Sequence, residues 1–306
     1  MSDISVIVCC YNSSYQLALN TLISIENQKE VAFDVVITDD GSKNLEVLLL
    51  KKWIEDNNIK NVYFNLNDQN RGTVKNILSA IPFCKSNYIK LISPGDYLYD
   101  EFSLKHYLDA FKNQNATIVT GKYIYYTENG DIVPTPFPIS KKTRLYKYMK
   151  RNIIAYGDNI LGASLAYKKE FLVKNLDKIS HYVKYLEDFP LISICLLEGE
   201  IIYFDDHILI WYETGTGIST KKQGNNLLAD DWKKTDIFLN ENFTDKCIDY
   251  RLKRSNCRKW PKFKKIILYP LAFPGYFSFL LEGKFGRKPV YEKDMSKMSK
   301  IIHWEK

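Results

Sequence analysis

Two short β-branched runs near the start of the chain stop abruptly at polar residues. They are Ile4-Ser-Val-Ile-Val-Cys-Cys-Tyr-Asn12 and Asp34-Val-Val-Ile-Thr-Asp-Asp-Gly-Ser42. A continuous apolar run of this length is a strand buried on both faces of a parallel sheet. Its polar end then lies at the carboxyl edge of the sheet, where open α/β sheets bind ligands. The pattern continues through the first hundred residues. Strands over 4–9, 33–38, 61–65 and 87–92 alternate with helices over 14–27, 43–57, 73–81 and 101–112. Asn12-Ser13 and Ser42 serve as N-caps of the first two helices, because their side-chain oxygens can accept the free N–H groups there. Such alternation predicts βαβ units, a parallel sheet and one nucleotide pocket along its edge.

Beyond residue 100 the pattern loosens. Residues 116–127 read as paired strand material closed by the turn Glu128-Asn-Gly-Asp131. Pro134, Pro136 and Pro138 mark an extended loop, and a polar helix is predicted over 140–152. A strand over 160–167, an apolar helix over 186–197 and strands over 201–204 and 207–213 follow. There is no internal repeat. The expected organisation is a nucleotide half over 1–100 and an acceptor half over 101–220 sharing one sheet, then an extension over 221–306.

Charge changes this picture at one end. The net charge of +7 is concentrated in residues 251–306, with 15 Lys/Arg against 4 Asp/Glu, and leaves a mildly acidic body. The basic stretch Arg251–Lys265 precedes an uncharged one, Ile266–Leu281, that contains Tyr269, Phe273, Tyr276, Phe277 and Phe279. Pro270, Pro274 and Gly275 prevent one long helix there, and the stretch is too short to span a bilayer. Basic groups beside aromatics through 251–281 suit an anionic membrane surface. Packing on the core or on a second subunit is the other reading. No nucleic-acid-binding motif accompanies the charge. The six cysteines have no CxxC or zinc spacing, and Met1-Ser2-Asp3 leads straight into a strand without a signal peptide. Both features suit reduced thiols and a cytoplasmic location.

The candidate chemistry lies at strand ends. The first edge offers Cys9, Tyr11 and Asn12, and a tyrosine there can stack on a planar base. The second offers Asp39 and Asp40, able to accept from a base N–H or a ribose hydroxyl, or simply to cap a turn. Asn70-Arg-Gly-Thr-Val-Lys-Asn76 opens a helix after the third strand. Gly72 lets backbone approach a ligand, the helix N-terminus favours an anion, and Lys75 or Arg71 can meet a diphosphate. Asp96 in Ile92-Ser-Pro-Gly-Asp-Tyr-Leu98 sits where a divalent metal would bridge protein and nucleotide, or caps a tight Pro-Gly turn. Glu187 and Asp188 in Tyr185-Leu-Glu-Asp-Phe-Pro-Leu191 open an apolar helix, a position that favours acids in any case. The four histidines have no metal-ligand spacing.

As an ordered set these segments resemble the family 2 inverting glycosyltransferases of GT-A fold. The family pattern is a "VSVIIPxYN" strand, a "VDDGSxD" strand, an "NxGxxxAxN" helix start and a "DxD" or "DDD" strand end. Ser5–Asn12, Val36–Ser42 and Asn70–Asn76 match the first three, and Ile92–Leu98 occupies the place of the fourth. The resemblance covers roughly residues 3–220. It implies an α/β, Rossmann-like, mixed but mainly parallel sheet flanked by helices, and a nucleotide-sugar donor, often UDP-linked. Tyr11 and Asp40 would hold the base with Cys9 and Asn12 nearby, and Asp39, Gly72 and Lys75 would lie near ribose or phosphate. Asp96 would be the ligand of manganese or magnesium. Trp211–Ser219 resembles the loop that closes over the diphosphate through Ser219. Asp188 matches the catalytic base of the "ED" motif, with Glu187 orienting the acceptor, and Ser164 (in Gly162–Ala166) and Trp211 would line the acceptor pocket. An inverting transfer needs such a carboxylate to take the acceptor proton as the hydroxyl attacks opposite the leaving diphosphate.

The chain departs from the pattern where Ser93 and Gly95 replace the earlier carboxylates, and no histidine lies in 211–220. The pocket is thus better marked for the nucleotide than for the metal. Expected partners are a nucleotide sugar and a saccharide or lipid-linked saccharide in surface polysaccharide assembly at the cytoplasmic face of the membrane. A second copy of the chain is a further expected partner, and nucleic acid is not. A nucleotide-sugar-binding protein without transferase activity is the alternative. A nucleotidyltransferase would need a Gly-rich triphosphate loop with Arg and Lys near the first strand, which residues 9–16 lack.

Overall fold

Alternate residues of the first strand enter two different cores. The computed structural model describes every residue except 1, 44–45, 134, 137–142, 159, 216–221, 258–259, 287–288, 291–293 and 305–306. In it β1 (Ile4–Cys10) sends Ile4, Val6 and Val8 to one side and Ile7 to the other. α1 (Tyr15–Glu26) covers the first side, and β2 (Phe33–Asp39) divides Val35 and Ile37 from Val36 in the same way. α2 (Glu46–Asp56) joins α1, while α3 (Thr73–Ala80), which follows β3 (Val62–Leu66), covers the opposite face. With β4 (Tyr88–Ile92) these strands form a parallel set in the order β3-β2-β1-β4. Cys10 pairs with Asp39 and Val8 with Ile92, so the polar residues after β1, β2 and β4 reach one edge.

The same sheet continues into the second half. β5 (Tyr97–Leu98), α4 (Ser103–Gln114), β6 (Ile118–Thr127) and β7 (Ile132–Val133) come next, then β8 (Thr135–Pro136) and α5 (Tyr146–Lys150). They are followed by β9 (Ala166–Lys168), α6 (Lys169–Ile179), α7 (Asp188–Leu197) and β10 (Ile202–Thr214). The strand order beyond β4 is β9-β6-β10-β5, with β7 hairpinned on β6. β6 and β10 are parallel, whereas β9 runs antiparallel to β4 and β6. The sheet is therefore mixed, mainly parallel and flanked by helices, as expected. The extension holds α8 (Lys222–Asn242), α9 (Lys246–Asn256), α10 (Lys262–Ala272), α11 (Pro274–Gly286), β11 (Pro289–Val290), which pairs with β8, and α12 (Ser296–Ile301). Phe238, Leu239 and Ile248 of this extension join the core that α3, α6 and α7 share.

Several local expectations are corrected. Ser14, not Asn12-Ser13, caps α1 by accepting the Leu17 N–H. Ser42 is not a cap of α2, because its hydroxyl serves the β1–β2 edge. The polar helix expected over 140–152 begins outside the described residues, and its described part is α5 running into a π-helical turn, Arg151–Ala155, whose Ile153 and Ile154 are core. The strand over 160–167 is instead a 3₁₀ turn, Gly162–Ser164, ahead of the short β9. Carbonyls of that turn bond side chains rather than a ladder. The strands read at 201–204 and 207–213 are one, β10, whose pairing with β6 shifts register between Phe204 and Ile208 and again between Ile208 and Ile210. Such a shift adds local twist, which lets so long a strand curl around the sheet. The break at Pro274 is present between α10 and α11, while Pro270 is accommodated inside α10.

Candidate active site

The polar edge at the ends of β1 and β2 is built by short polar bridges between strand ends. Asn12 adopts a left-handed conformation (φ 48°), its N–H donates to Ser42 Oγ at 2.7 Å, and its Oδ1 accepts the Lys43 N–H at 2.9 Å. Tyr11 beside it is 44% exposed, free to offer a ring face. Asp39 accepts the Ser42 N–H at 2.8 Å and the Ser42 hydroxyl. Asp40 accepts the N–H groups of Arg71 and Gly72 at 2.7 and 2.8 Å. Val74 N–H donates to the Lys184 carbonyl at 3.1 Å. The anion at the α3 N-terminus is thus Asp40 itself, and the Gly72 N–H is not free for a phosphate. Gly72 (φ +86°) answers to a different neighbour: a Cβ there would lie 2.6 Å from the Lys184 carbonyl oxygen. Lys75, with Arg71 and Lys184, lines a basic cavity of about 370 Å³ between α3 and the segment before α7.

Asp96 closes a tight turn after β4. Pro94 and Gly95 (φ +97°) occupy its centre, and Asp96 N–H donates to the Ser93 carbonyl at 3.0 Å, as a type II turn requires. The Asp96 carboxylate accepts the Glu213 N–H at 3.2 Å. Burial pushes its pKa up to about 7, and the nearby Glu213 charge adds to the rise. Among the described residues no group of three or more His, Cys, Asp or Glu could hold a metal ion. Magnesium is commonly held by one or two carboxylates with substrate phosphates and water rather than by an all-protein cage, so Asp96 would leave most of the ligands of such an ion to a bound diphosphate.

Lys90 is the residue the sequence reading passed over. It lies in β4 between Val6 of β1 and Ala166 of β9, and it is fully buried. Its Nζ donates to the carbonyls of Leu91 (2.6 Å), Ala163 and Leu165 (3.3 Å), which pins the 162–164 turn to the sheet. Burial pulls its pKa down to about 7, opposed by the charges of Asp96 and Cys9. The signal was present as a lone charge inside the apolar run Ile89-Lys-Leu-Ile92.

Glu187 and Asp188 open α7. Asp188 Oδ1 accepts the Phe189 N–H at 2.7 Å, and its side chain lies against Gly162, where a Cβ would come within 2.9 Å of Asp188 Oδ2. Burial raises both carboxyl pKa values, and the Asp188 charge raises Glu187 further. The Cys9 thiol is raised by burial first and then by the Glu187 carboxylate, which shows how close the β1 end lies to α7. The structure therefore links these groups in an electrostatic chain, Glu187 to Cys9, Cys9 to Lys90 and Lys90 to Asp96. It does not offer Ser164 or Trp211 to an acceptor. Ser164 is fully buried, sharing a hydrogen bond with Thr120 Oγ1 (2.6 Å). Trp211 is fully buried too, its indole N–H donating to the Tyr99 carbonyl at 3.0 Å and its ring stacked on Tyr99. Ser219 lies outside the described residues.

Glu187 titrates higher in the folded chain than in the unfolded one. Its protonated form thus contributes stability that is complete below the unfolded value and lost as pH rises through the folded one. Glu187→Gln, which keeps the neutral shape, is expected to gain melting temperature relative to the parent as pH rises from 4.5 to about 8. A difference that stays flat across that range would contradict burial of this carboxyl as the cause.

The fold places this polar edge at the carboxyl ends of a parallel sheet, where open α/β sheets bind ligands. Glycosyl transferase family 2 matches residues 5–171, more than half of the chain, and the chain belongs to that family. Its coarse activity is therefore that of a glycosyltransferase. Among solved structures it is similar to S. aureus TarS 1-349 in complex with UDP-GlcNAc, with a TM-score of 0.60 and 18% identity over 87% of this chain and 78% of that one. The UDP complex of TarS 1-349 gives 0.57 and 18% over 87% and 77%. A further structure of S. aureus TarS gives 0.58 and 18% over 86% of this chain and 44% of that one. At this identity the likeness establishes the fold. No curated protein matches the chain.

Proposed function

We propose that this protein is an inverting glycosyltransferase that moves a sugar from a UDP-linked donor to a saccharide hydroxyl. The observation that carries the reading is the half-buried Glu187–Asp188 pair beside Gly162, within reach of the β1 end. The complexes of TarS with UDP-GlcNAc and with UDP, on a shared fold, support a uridine diphosphate donor. Tyr11 stacks on the base and Asp39 receives base or ribose donors. Asp188, its basicity raised by burial, takes the proton of the acceptor hydroxyl. That oxygen bonds to the anomeric carbon as the bond to the diphosphate breaks on the opposite face, and UDP leaves. Glu187 orients the acceptor. Calorimetry with UDP and with UDP-linked sugars, followed by a count of UDP released in the presence of saccharide acceptors, tests the reading. UDP binding without any turnover across a broad donor panel would leave a binding protein instead.

The setting proposed is a lipid-linked acceptor reached from a membrane surface, the three regions of the chain acting as donor half, acceptor half and extension. No helix among the described residues is long and apolar enough to cross a membrane. Ile267, Leu268 and Leu271 of α10 and Phe277, Leu280 and Leu281 of α11 are nonetheless exposed, Leu271 by 75%. Apolar side chains beside a basic stretch favour the headgroup boundary of an anionic bilayer. The double variant Ile267→Ser/Leu271→Ser is expected to lose at least half of the protein sedimenting with phosphatidylglycerol vesicles at low salt. Equal sedimentation of variant and parent would remove the anchor, and a variant that alone turns a dimer into a monomer would place a second copy on this face.

A further inference from the structure

Three consecutive backbone amides just ahead of the Glu187–Asp188 pair converge on one side chain of the C-terminal extension. Asp231 on α8 is 2% exposed. Its Oδ2 accepts N–H groups from Lys184 (3.0 Å), Tyr185 (2.5 Å) and Leu186 (3.0 Å), and its Oδ1 accepts from Lys184 again at 3.2 Å. The Lys184 carbonyl meanwhile accepts the Val74 N–H of α3. The 184–186 turn is thus gripped from two sides, by the helix at the donor edge and by α8. The residue after Asp188 is braced by the same extension. Trp232 packs on Phe189 with ring centroids 4.8 Å apart, and the Arg251 guanidinium lies 4.5 Å from the Phe189 ring while pairing with Asp236.

A carboxylate accepting several backbone N–H groups makes charge-assisted bonds roughly twice as strong as neutral ones. The turn cannot rotate without surrendering them together. A base works only within hydrogen-bond reach of the proton it takes, so a displacement on the order of 1 Å can cost about a hundredfold in rate.

We infer that Asp231 is a positioning residue for the transfer step: it locks the backbone turn that carries Glu187 and Asp188, and so makes the extension beyond residue 220 part of the catalytic apparatus. The inference rests on the proposal that Asp188 is the base. It extends the site past the matched family residues, which end at 171. The Asp231 charge also adds to the groups that raise Glu187.

The test is Asp231→Asn in the full chain, read by amide hydrogen exchange and by UDP release from the fastest of a panel of UDP-linked sugars. The 184–186 amides are expected to exchange at least tenfold faster while β1 and the end of α7 stay protected. Turnover should fall by ten- to a hundredfold with donor KM changed less than about threefold. Unaltered exchange at 184–186 overturns the clamp, and faster exchange with parental turnover overturns the positioning role. Exchange that rises throughout the chain, with kcat and KM worsening together, overturns it in favour of a general stabilising role. Phe238→Leu removes ring contacts with Tyr182 and Phe243 from the same helix while leaving the carboxylate in place, and an equal loss of turnover with that variant overturns it too. Asp188→Asn measured beside them separates the two levels. Retained turnover there removes the base, whereas an inactive Asp188→Asn with a fully active Asp231→Asn removes only the clamp.

Discussion

Asp188→Asn is expected to lower transfer by about 10²–10⁴-fold, the usual worth of a positioned general base. The amide has nearly the shape of the carboxylate and can keep the contact of its oxygen with the Phe189 N–H. What it lacks is basicity. UDP affinity should therefore stay within about threefold of the parent, since Tyr11, Asp39 and Asp40 lie at the ends of β1 and β2 and not on α7. The parent itself should lose activity on the acid side well above the ordinary carboxylate range, because burial holds both members of the pair protonated to higher pH. Two readouts decide the matter: kcat for a UDP-linked donor and calorimetric UDP binding at the same pH. A variant that keeps more than a tenth of parental turnover would falsify Asp188 as the base.

Gly41→Ala is expected to cost about 3 kcal/mol of stability and to weaken UDP binding about tenfold. Gly41 has φ +70°, a region that side chains with a Cβ occupy only with strain. A Cβ there would also lie 2.6 Å from the Gln69 Cα and carbonyl carbon and 2.8 Å from its nitrogen. Those atoms are backbone and cannot swing aside. The strap that follows Gln69 is the one Asp40 holds through the Arg71 and Gly72 N–H groups. Pushing it away opens the donor edge. Gly199 provides the comparison, with φ +80° and nothing within 4 Å of a built Cβ. Gly199→Ala should show only the left-handed backbone cost of about 1–2 kcal/mol and unchanged UDP binding. Equal losses in the two variants would mean that the Gln69 collision relaxes freely.

Periodicity made the donor half legible. β1 and β2 are continuous apolar runs because both faces of a central parallel strand are covered, and Ile7 and Val36 do face a different core from Val6 and Val35. Ser93-Pro-Gly-Asp96 was legible as a tight turn because Pro and Gly fit the two central positions of a type II turn. The "ED" pair was legible as acids at a helix start. Trp211 was not legible as core, since an aromatic within a strand reads alike whether its neighbour is a ligand or Tyr99. Gly162–Ser164 was misread as a strand because nothing nearby in the chain announces that Lys90 will claim its carbonyls.

The division follows from the range of the interactions. Strand and helix patterns, the turn at Asp96 and the acids at 187–188 are set by residues within a few positions of one another, so the sequence by itself determined them. Asp40 holding 71–72, Lys90 holding 163 and 165, and Asp231 holding 184–186 join residues far apart in the chain. A buried backbone N–H or carbonyl must find a partner, but which side chain supplies it depends on which elements the topology brings together. Only the tertiary structure decided those pairings, and with them the wall of the donor edge and the hold on Asp188.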